Sequence, residues 1–162
     1  MRGLLGLSVL LSLVSGSVVL ANEIDGFRLG MPMAKARELA AEKKYTFGNP
    51  VKGDPNDRSV DYCLVKGGPC LGFCDSTLSS VTMARPSSIN EVAGTIKEWK
   101  SIYGEPQVAP NIWYLQGKQY SSVQFNWFGD DNIQRDIAIS QYEQGETQIA
   151  FGYSYIKHPC RH

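Results

Sequence analysis

Histidine is nearly missing from this chain. Only two occur among 162 residues, His158 and His162, both near the C-terminus. A Ser-His-Asp or Cys-His arrangement would have to draw its base from that tail. An excess of one charge sign is missing too, with 16 Lys plus Arg against 16 Asp plus Glu, mixed along the chain. A dedicated nucleic-acid or anionic-membrane binder needs a basic surface to gain from phosphate contacts, so the balance argues against both classes. A Gly-rich phosphate loop is also lacking. Gly67-Gly68 follows a predicted strand, but no helix carrying Lys-Ser/Thr comes after it. Cys70 and Cys74 do not make the C-x-x-C pair of a thioredoxin-like site. No low-complexity segment and no internal repeat is visible.

Long apolar runs are scarce as well, and the one present stands at the start. Met1-Arg2-Gly3 leads into an apolar stretch over 4–20, which ends in Val19-Leu20-Ala21 just before Glu23. A basic start, an apolar middle and a small-residue ending have the layout of a secretory signal peptide cleaved after Ala21. Gly6, Ser8, Ser12, Ser15 and Gly16 interrupt the run, which suits a signal better than a membrane anchor. Asn22 occupies the place where a lipoprotein would carry its lipid on cysteine. The expected organisation is a signal peptide over 1–21 and a single domain over 22–162, periplasmic or secreted, with no membrane span after cleavage. About 140 residues remain, enough to bury a core, with a net charge of about −1.

The mature chain holds four cysteines: Cys63, Cys70, Cys74 and Cys160. In an oxidising compartment an even count reads as two disulfides. If all four are paired, Cys160 must join one member of the 63–74 cluster, and the other bridge is local. Spacing leaves Cys63–Cys74, Cys63–Cys70 and Cys70–Cys74 open for that local bridge.

Periodicity supplies the elements. Pro32 suits the first turn of a helix, and Met33, Ala36 and Leu39 or Ala40 recur at helical spacing, predicting a first helix over 32–44. Tyr45, Thr46 and Phe47 turn towards extended structure, and 48–58, rich in Gly, Asn, Asp and Pro, reads as a loop. Strands are predicted over 60–66 and 77–84, forming a hairpin with Cys70 and Cys74 in its connection. Ser88-Ile89-Asn90-Glu91 is a capping box, followed by the apolar stripe Ile89, Val92, Ala93, Ile96, Trp99 and Tyr103, with Gly104 and Pro106 as the stop. Strands over 112–116, 120–128, 133–142 and 147–156, joined by tight turns, form an antiparallel meander. The fold class is α+β: an antiparallel sheet, hairpin plus four-strand meander, packed by two helices and stapled by disulfides.

One face of the meander is apolar and needs the second helix as cover. The opposite face is small and polar, with Ser122, Gln124, Asn126, Ala138, Ser140, Gln148, Ala150, Gly152 and Ser154. An ordinary solvated sheet face has this character. The functional reading is a docking surface, with Tyr114, Tyr120, Phe128 and Tyr142 near strand ends as anchors beside Gln124 and Asn126.

Catalytic sets are otherwise scarce, and no catalytic residue is assigned. Asp130-Asp131 lacks the further spaced carboxylates of a calcium loop and reads as a turn. Carboxylates meeting from distant positions could serve glycoside chemistry, but nothing in the sequence selects a pair. In the tail His158-Pro159-Cys160-Arg161-His162, two imidazoles flank a thiol that could hold zinc or copper, but Cys160 is also needed for a disulfide. No metal and no cofactor is therefore assigned.

The run Leu29-Gly30-Met31-Pro32-Met33-Ala34-Lys35-Ala36 and the ending Tyr103-Gly104-Glu105-Pro106 resemble segments of exported bacterial helix-on-sheet proteins, the BamE-type assembly lipoproteins and the β-lactamase-inhibitory protein. The chain departs from them in lacking the lipid-carrying cysteine and in placing a hairpin between its helices. The resemblance implies an envelope location and a non-catalytic binding role. The expected function is an exported binding module (inhibitor, immunity-type or envelope accessory protein) with a protein partner and no nucleic acid. The alternatives are a small secreted hydrolase using dispersed carboxylates or the tail histidines, and a metal-binding protein through the C-terminal tail.

Overall fold

The computed structural model describes residues 22–51, 58–115, 118–141, 147–157 and Cys160, with backbone alone at 113–115 and 118–120. A hairpin of β1 (Glu23–Ile24) and β2 (Phe27–Arg28) precedes helix α1 (Met33–Glu42). Strands β3 (Thr46–Phe47), β4 (Ser59–Val65), β5 (Cys70–Cys74) and β6 (Thr77–Arg85) follow. Then come helix α2 (Ile89–Tyr103) and strands β7 (Gln107–Leu115), β8 (Lys118–Phe128), β9 (Ile133–Gln141) and β10 (Thr147–Tyr155). The first hairpin stands apart, and the other strands form one antiparallel sheet of eight, ordered β3-β4-β5-β6-β10-β9-β8-β7.

That order contains a repeat the sequence does not display. Each half of the chain is a helix followed by a four-strand meander, α1 with β3 to β6 and α2 with β7 to β10. The closing strands β6 and β10 pair at the centre, while the opening strands β3 and β7 lie at the two edges. Their ladder runs from Arg85 opposite Ile149 to Ser80 opposite Ser154. The halves are thus related by an approximate two-fold axis passing near Thr82 and Gly152.

Helix α2 follows its local signals closely. The Ser88 hydroxyl accepts from the Glu91 N–H at 3.2 Å, and Gly104, with φ of +83°, closes the helix with its N–H on the Lys100 carbonyl. The other arm of the capping box is not made, because the Glu91 carboxylate pairs with Arg85 instead. Val92 and Trp99 are buried, with Ile96 and Tyr103 packed beside them. Ile89 is 73% exposed and Ala93 is exposed, so the covering stripe starts a turn later than the sequence suggests.

Under α2 the core is aromatic. The Trp99 ring meets Trp127 edge-on at 5.4 Å and Tyr103 at 6.3 Å. The Trp127 indole N–H donates to the Gly104 carbonyl at 2.9 Å, tying β8 to the end of the helix. Arg135, only 3% exposed, lies 4.4 Å over the Tyr103 ring and pairs with Asp131 in the β8–β9 turn. Under α1 the core is Phe27, Leu29, Ala36, Ala40, Leu64, Leu71 and Phe73. Both helices thus cover the same face of the sheet.

The hairpin expected from 60–66 and 77–84 is a three-strand meander. Residues 70–74, read from sequence as a connection, form β5 between β4 and β6. Leu71 and Phe73 supply its buried face, alternating with Cys70, Gly72 and Cys74, and neither cysteine nor glycine signals a strand. A bulge follows, with the Ser79 hydroxyl donating to the Gly72 carbonyl at 3.0 Å. Strand β7 starts at Gln107, earlier than expected, and carries Pro110 within it. A sheet edge tolerates this because no outer neighbour needs the missing N–H. On the helix side of this edge Val108 and Ile112 stay exposed, at 56% and 60%.

The two disulfides are Cys63–Cys70 and Cys74–Cys160. The first joins directly opposed residues of β4 and β5. The second spans 86 positions and fastens the C-terminal segment to the end of β5. Closing so long a loop contributes roughly 4–5 kcal/mol by chain entropy, as an upper figure. No helix among the described residues is long and apolar enough to cross a membrane.

Trp127→Ala removes both the ring contact with Trp99 and the bond to the Gly104 carbonyl, so it is expected to cost about 3–5 kcal/mol in denaturant unfolding. Trp127→Phe keeps the apolar volume and is expected to recover more than half of that loss.

Candidate functional site

Strand alternation separates two chemistries in the second half of the chain. Ile133, Arg135, Ile137 and Ile139 of β9 face the helices, and Gln134, Asp136, Ala138 and Ser140 face the other way. The ladders line these outward residues up in transverse rows. One row runs Cys63, Cys70, Thr82, Gly152, Asp136, Asn126, Gln107 across seven strands. Next to it lies Ala84, Ala150, Ala138, Gln124, Ala109. On its other side run Asp61, Gly72, Ser80, Ser154, Gln134, Phe128. Both helices lie on the opposite side, so this face is a broad floor of Ala, Gly and Ser.

Asp136 is the chemical exception on that floor. Its register neighbours are Asn126 on β8 and Gly152 on β10. Its carboxylate lies over Gly152, where a Cβ would stand 2.6 Å from Oδ1 and 2.8 Å from Oδ2. Only glycine leaves room for it. Asn126 is buried, and its side-chain oxygen accepts from Gln134 Nε2 at 3.0 Å rather than meeting Asp136. Among the described residues no donor or cation pairs with the Asp136 carboxylate. Burial without a partner disfavours the charged form and pushes its pKa up to about 6.

Asp61 repeats the motif in the first half. A Cβ on Gly72 would lie 2.6 Å from Asp61 Oδ1 and would collide with the Ser80 hydroxyl. Asp61 and Asp136 are four strand spacings apart, roughly 19 Å. A glycosidase pair needs its carboxyl groups within about 10 Å, so these two do not form one.

Of the residues singled out from sequence, Gln124, Asn126 and Phe128 lie on this face. Gln124 is half-buried, Asn126 is engaged with Gln134, and Phe128, 48% exposed, stands at the end of β8. Tyr114 and Tyr120 belong to β7 and β8, but their side chains, like all of Tyr142, His158 and His162, lie outside the described residues. Cys160 is bonded to Cys74, so no thiolate remains for a metal site in the tail. The same bond occupies both sulfurs beside Asp75. Asp131 is a structural acid: it accepts from the Ile133 N–H at 3.2 Å, and the Arg135 guanidinium holds its carboxyl below the usual range.

An open groove of about 550 Å³ also lies between the β1–β2 hairpin and α1, lined by Glu23, Arg28, Met31, Lys35, Glu38 and Leu39. Glu23 is already paired with Arg28 at 3.0 Å, and the groove mixes both charge signs without converging on a point. The centre of the outer face is the more specific feature. Sequence reading overlooked Asp136 because an acid at an outward strand position is ordinary. What marks it is the glycine opposite, and that requires the register. Comparison with protein-family models, with curated proteins and with solved structures finds no match to this chain.

The folded protein holds the Asp136 proton more tightly than the unfolded chain does. Its stabilising contribution is therefore fully present below about pH 4 and is lost as pH rises through about 6. Asp136→Asn is expected to stabilise the protein at pH 7.5 by on the order of 2 kcal/mol, with the gap closing at pH 4, as read from urea unfolding at both values.

Proposed function

We propose that this protein is an exported, non-catalytic binding module that docks a basic protein partner on the helix-free face of its sheet. The single observation that carries the reading is Asp136: a half-buried carboxylate with no cation beside it among the described residues, at the centre of a floor of small residues. Such a group gains most from a lysine or arginine brought by a partner, because the incoming charge relieves the burial penalty. The Ala84, Ala150, Ala138 row lets a partner backbone approach closely on one side. Gln124, Gln134 and Gln148 supply amide groups around the floor.

Two disulfides, the apolar N-terminal run and the resemblance to exported helix-on-sheet proteins support a periplasmic or secreted location. Inhibitor, immunity-type protein and envelope accessory factor are all roles a surface of this kind serves. Among the described residues, Asp61 and Asp136 stand too far apart for a glycosidase pair and Cys160 is held in a disulfide. His158 and His162, on which the other forms of the hydrolase and metal alternatives rest, lie outside the described residues.

The test places a photo-crosslinking residue at Ala150 on the outer face, at Val108 on the helix side of β7, and at the exposed Lys97 of α2. The oxidised protein is then incubated with native envelope and secreted extract. One partner captured from Ala150, lost on Asp136→Lys and released between pH 7.5 and pH 5, is the expected result. Capture from Val108 or Lys97 instead, unaffected by Asp136→Lys, overturns the outer-face reading.

A further inference from the structure

The two disulfides differ in what can reach them. Cys74 and Cys160 are each 3% exposed, so that bond is closed to a thiol from solvent. In the other bond Cys63 is exposed and Cys70 half-buried. Both face away from the helices, in the transverse row that also holds Thr82, Gly152 and Asp136.

Among the described residues, the approach to Cys63 is open as well. Thiol–disulfide exchange proceeds in line, with the attacking sulfur entering along the S–S axis opposite the leaving one. For attack on Cys63 with Cys70 leaving, that line comes in over the β3 edge of the sheet. Strand β3 is only two residues long and ends at Phe47, whose ring packs towards the core on Tyr62 and Phe73. The next residue is Gly48, whose N–H donates to the Cys63 carbonyl at 3.0 Å. A Cβ there would stand 2.7 Å from that carbonyl oxygen, so the chain passes beside Cys63 without a side chain. Attack on Cys70 with Cys63 leaving has to enter over β6, which pairs with β5 on that side and places Thr82 opposite Cys70.

We propose that Cys63 is a site of thiol–disulfide exchange, taking the thiolate of a cysteine-containing peptide or of a thiol oxidoreductase. The incoming thiolate forms a bond to Cys63 Sγ, the Cys63–Cys70 bond breaks, and Cys70 leaves as the thiolate. Cys63 then carries a mixed disulfide. Return attack by Cys70 on Cys63 Sγ expels the thiol and restores the original bond. A second external thiol instead attacks the thiol's own sulfur in the adduct, releasing that thiol as a disulfide and leaving both cysteines reduced, two electrons in all.

The fold has reason to survive this step. Strands β4 and β5 remain paired from Ser59 opposite Cys74 to Cys63 opposite Cys70, and the Cys74–Cys160 bond stays in place. The adduct stands near the β3–β4 rim, roughly 19 Å from Asp136 by strand count. The exchange site therefore does not depend on the docking reading, and either can fail alone.

The probe is reduced glutathione added to the native, fully oxidised protein at pH 8, with rapid alkylation and peptide mapping over time. The expected result is a glutathione adduct on Cys63 first, with Cys74 and Cys160 reacting at least about tenfold more slowly. Adducts on Cys70, comparable rates at Cys74 or Cys160, or no reaction until denaturant is added would each overturn the proposal. Single variants give an independent reading through the free thiol. With glutathione disulfide, Cys70→Ser is expected to form its adduct on Cys63 about tenfold faster than Cys63→Ser does on Cys70. Equal rates overturn it, and if either variant fails to fold the wild-type time course decides.

Discussion

The pairing of β6 with β10 is the constraint on which the rest of the molecule depends. Each half is a helix and four strands. Joining the closing strands antiparallel makes one sheet of eight and sends the opening strands to its edges. An axis perpendicular to the sheet keeps both helices on the same side, so their cores merge beneath one layer. The price is a second face with no layer of its own. The candidate site on that face lies where it does because Thr82 and Gly152, at the centre of that pairing, are its middle.

Neighbours in sequence show how strongly the alternation acts. Arg135 and Asp136 carry opposite charges and are adjacent, yet the strand sends them to opposite faces and they cannot neutralise each other. Arg135 enters the aromatic core, where the Asp131 carboxylate and the Tyr103 ring compensate its burial. Asp136 goes to the bare face and meets glycine. The first charge holds a turn against the end of α2. The second has no cation beside it among the described residues, so it keeps its burial penalty, and the docking proposal rests on that penalty.

Much of the helix-side architecture was legible in the sequence. Ser88, Gly104 and Pro106 bracket α2 within a residue, and the alternation of Ile149, Phe151, Tyr153 and Tyr155 fixes the buried face of β10. The even cysteine count correctly required Cys160 to reach back to the 63–74 cluster, but spacing could not choose its partner. Strand β5 was hidden because it is short and its outward positions are cysteine and glycine, of which glycine is depleted in strands and cysteine is not among the residues enriched there. The two-fold repeat was hidden for a different reason: equivalent elements differ in length, with two residues in β3 against nine in β7. Of the site, the sequence showed the small polar face with Gln124, Asn126 and Phe128, but not its centre. Asp136 acquires its character from residues on two other strands, and only the register brings them together.

The most direct measurement is the carboxyl carbon-13 shift of Asp136, followed by NMR from pH 3 to pH 8 in the oxidised protein and assigned with Asp136→Asn. A midpoint raised to about 6 is the predicted result, because burial without a cation disfavours the charged carboxylate. A midpoint near 4, the ordinary value, would mean that the carboxylate is solvated or already partnered, and the outer face would lose its reason to bind a basic partner.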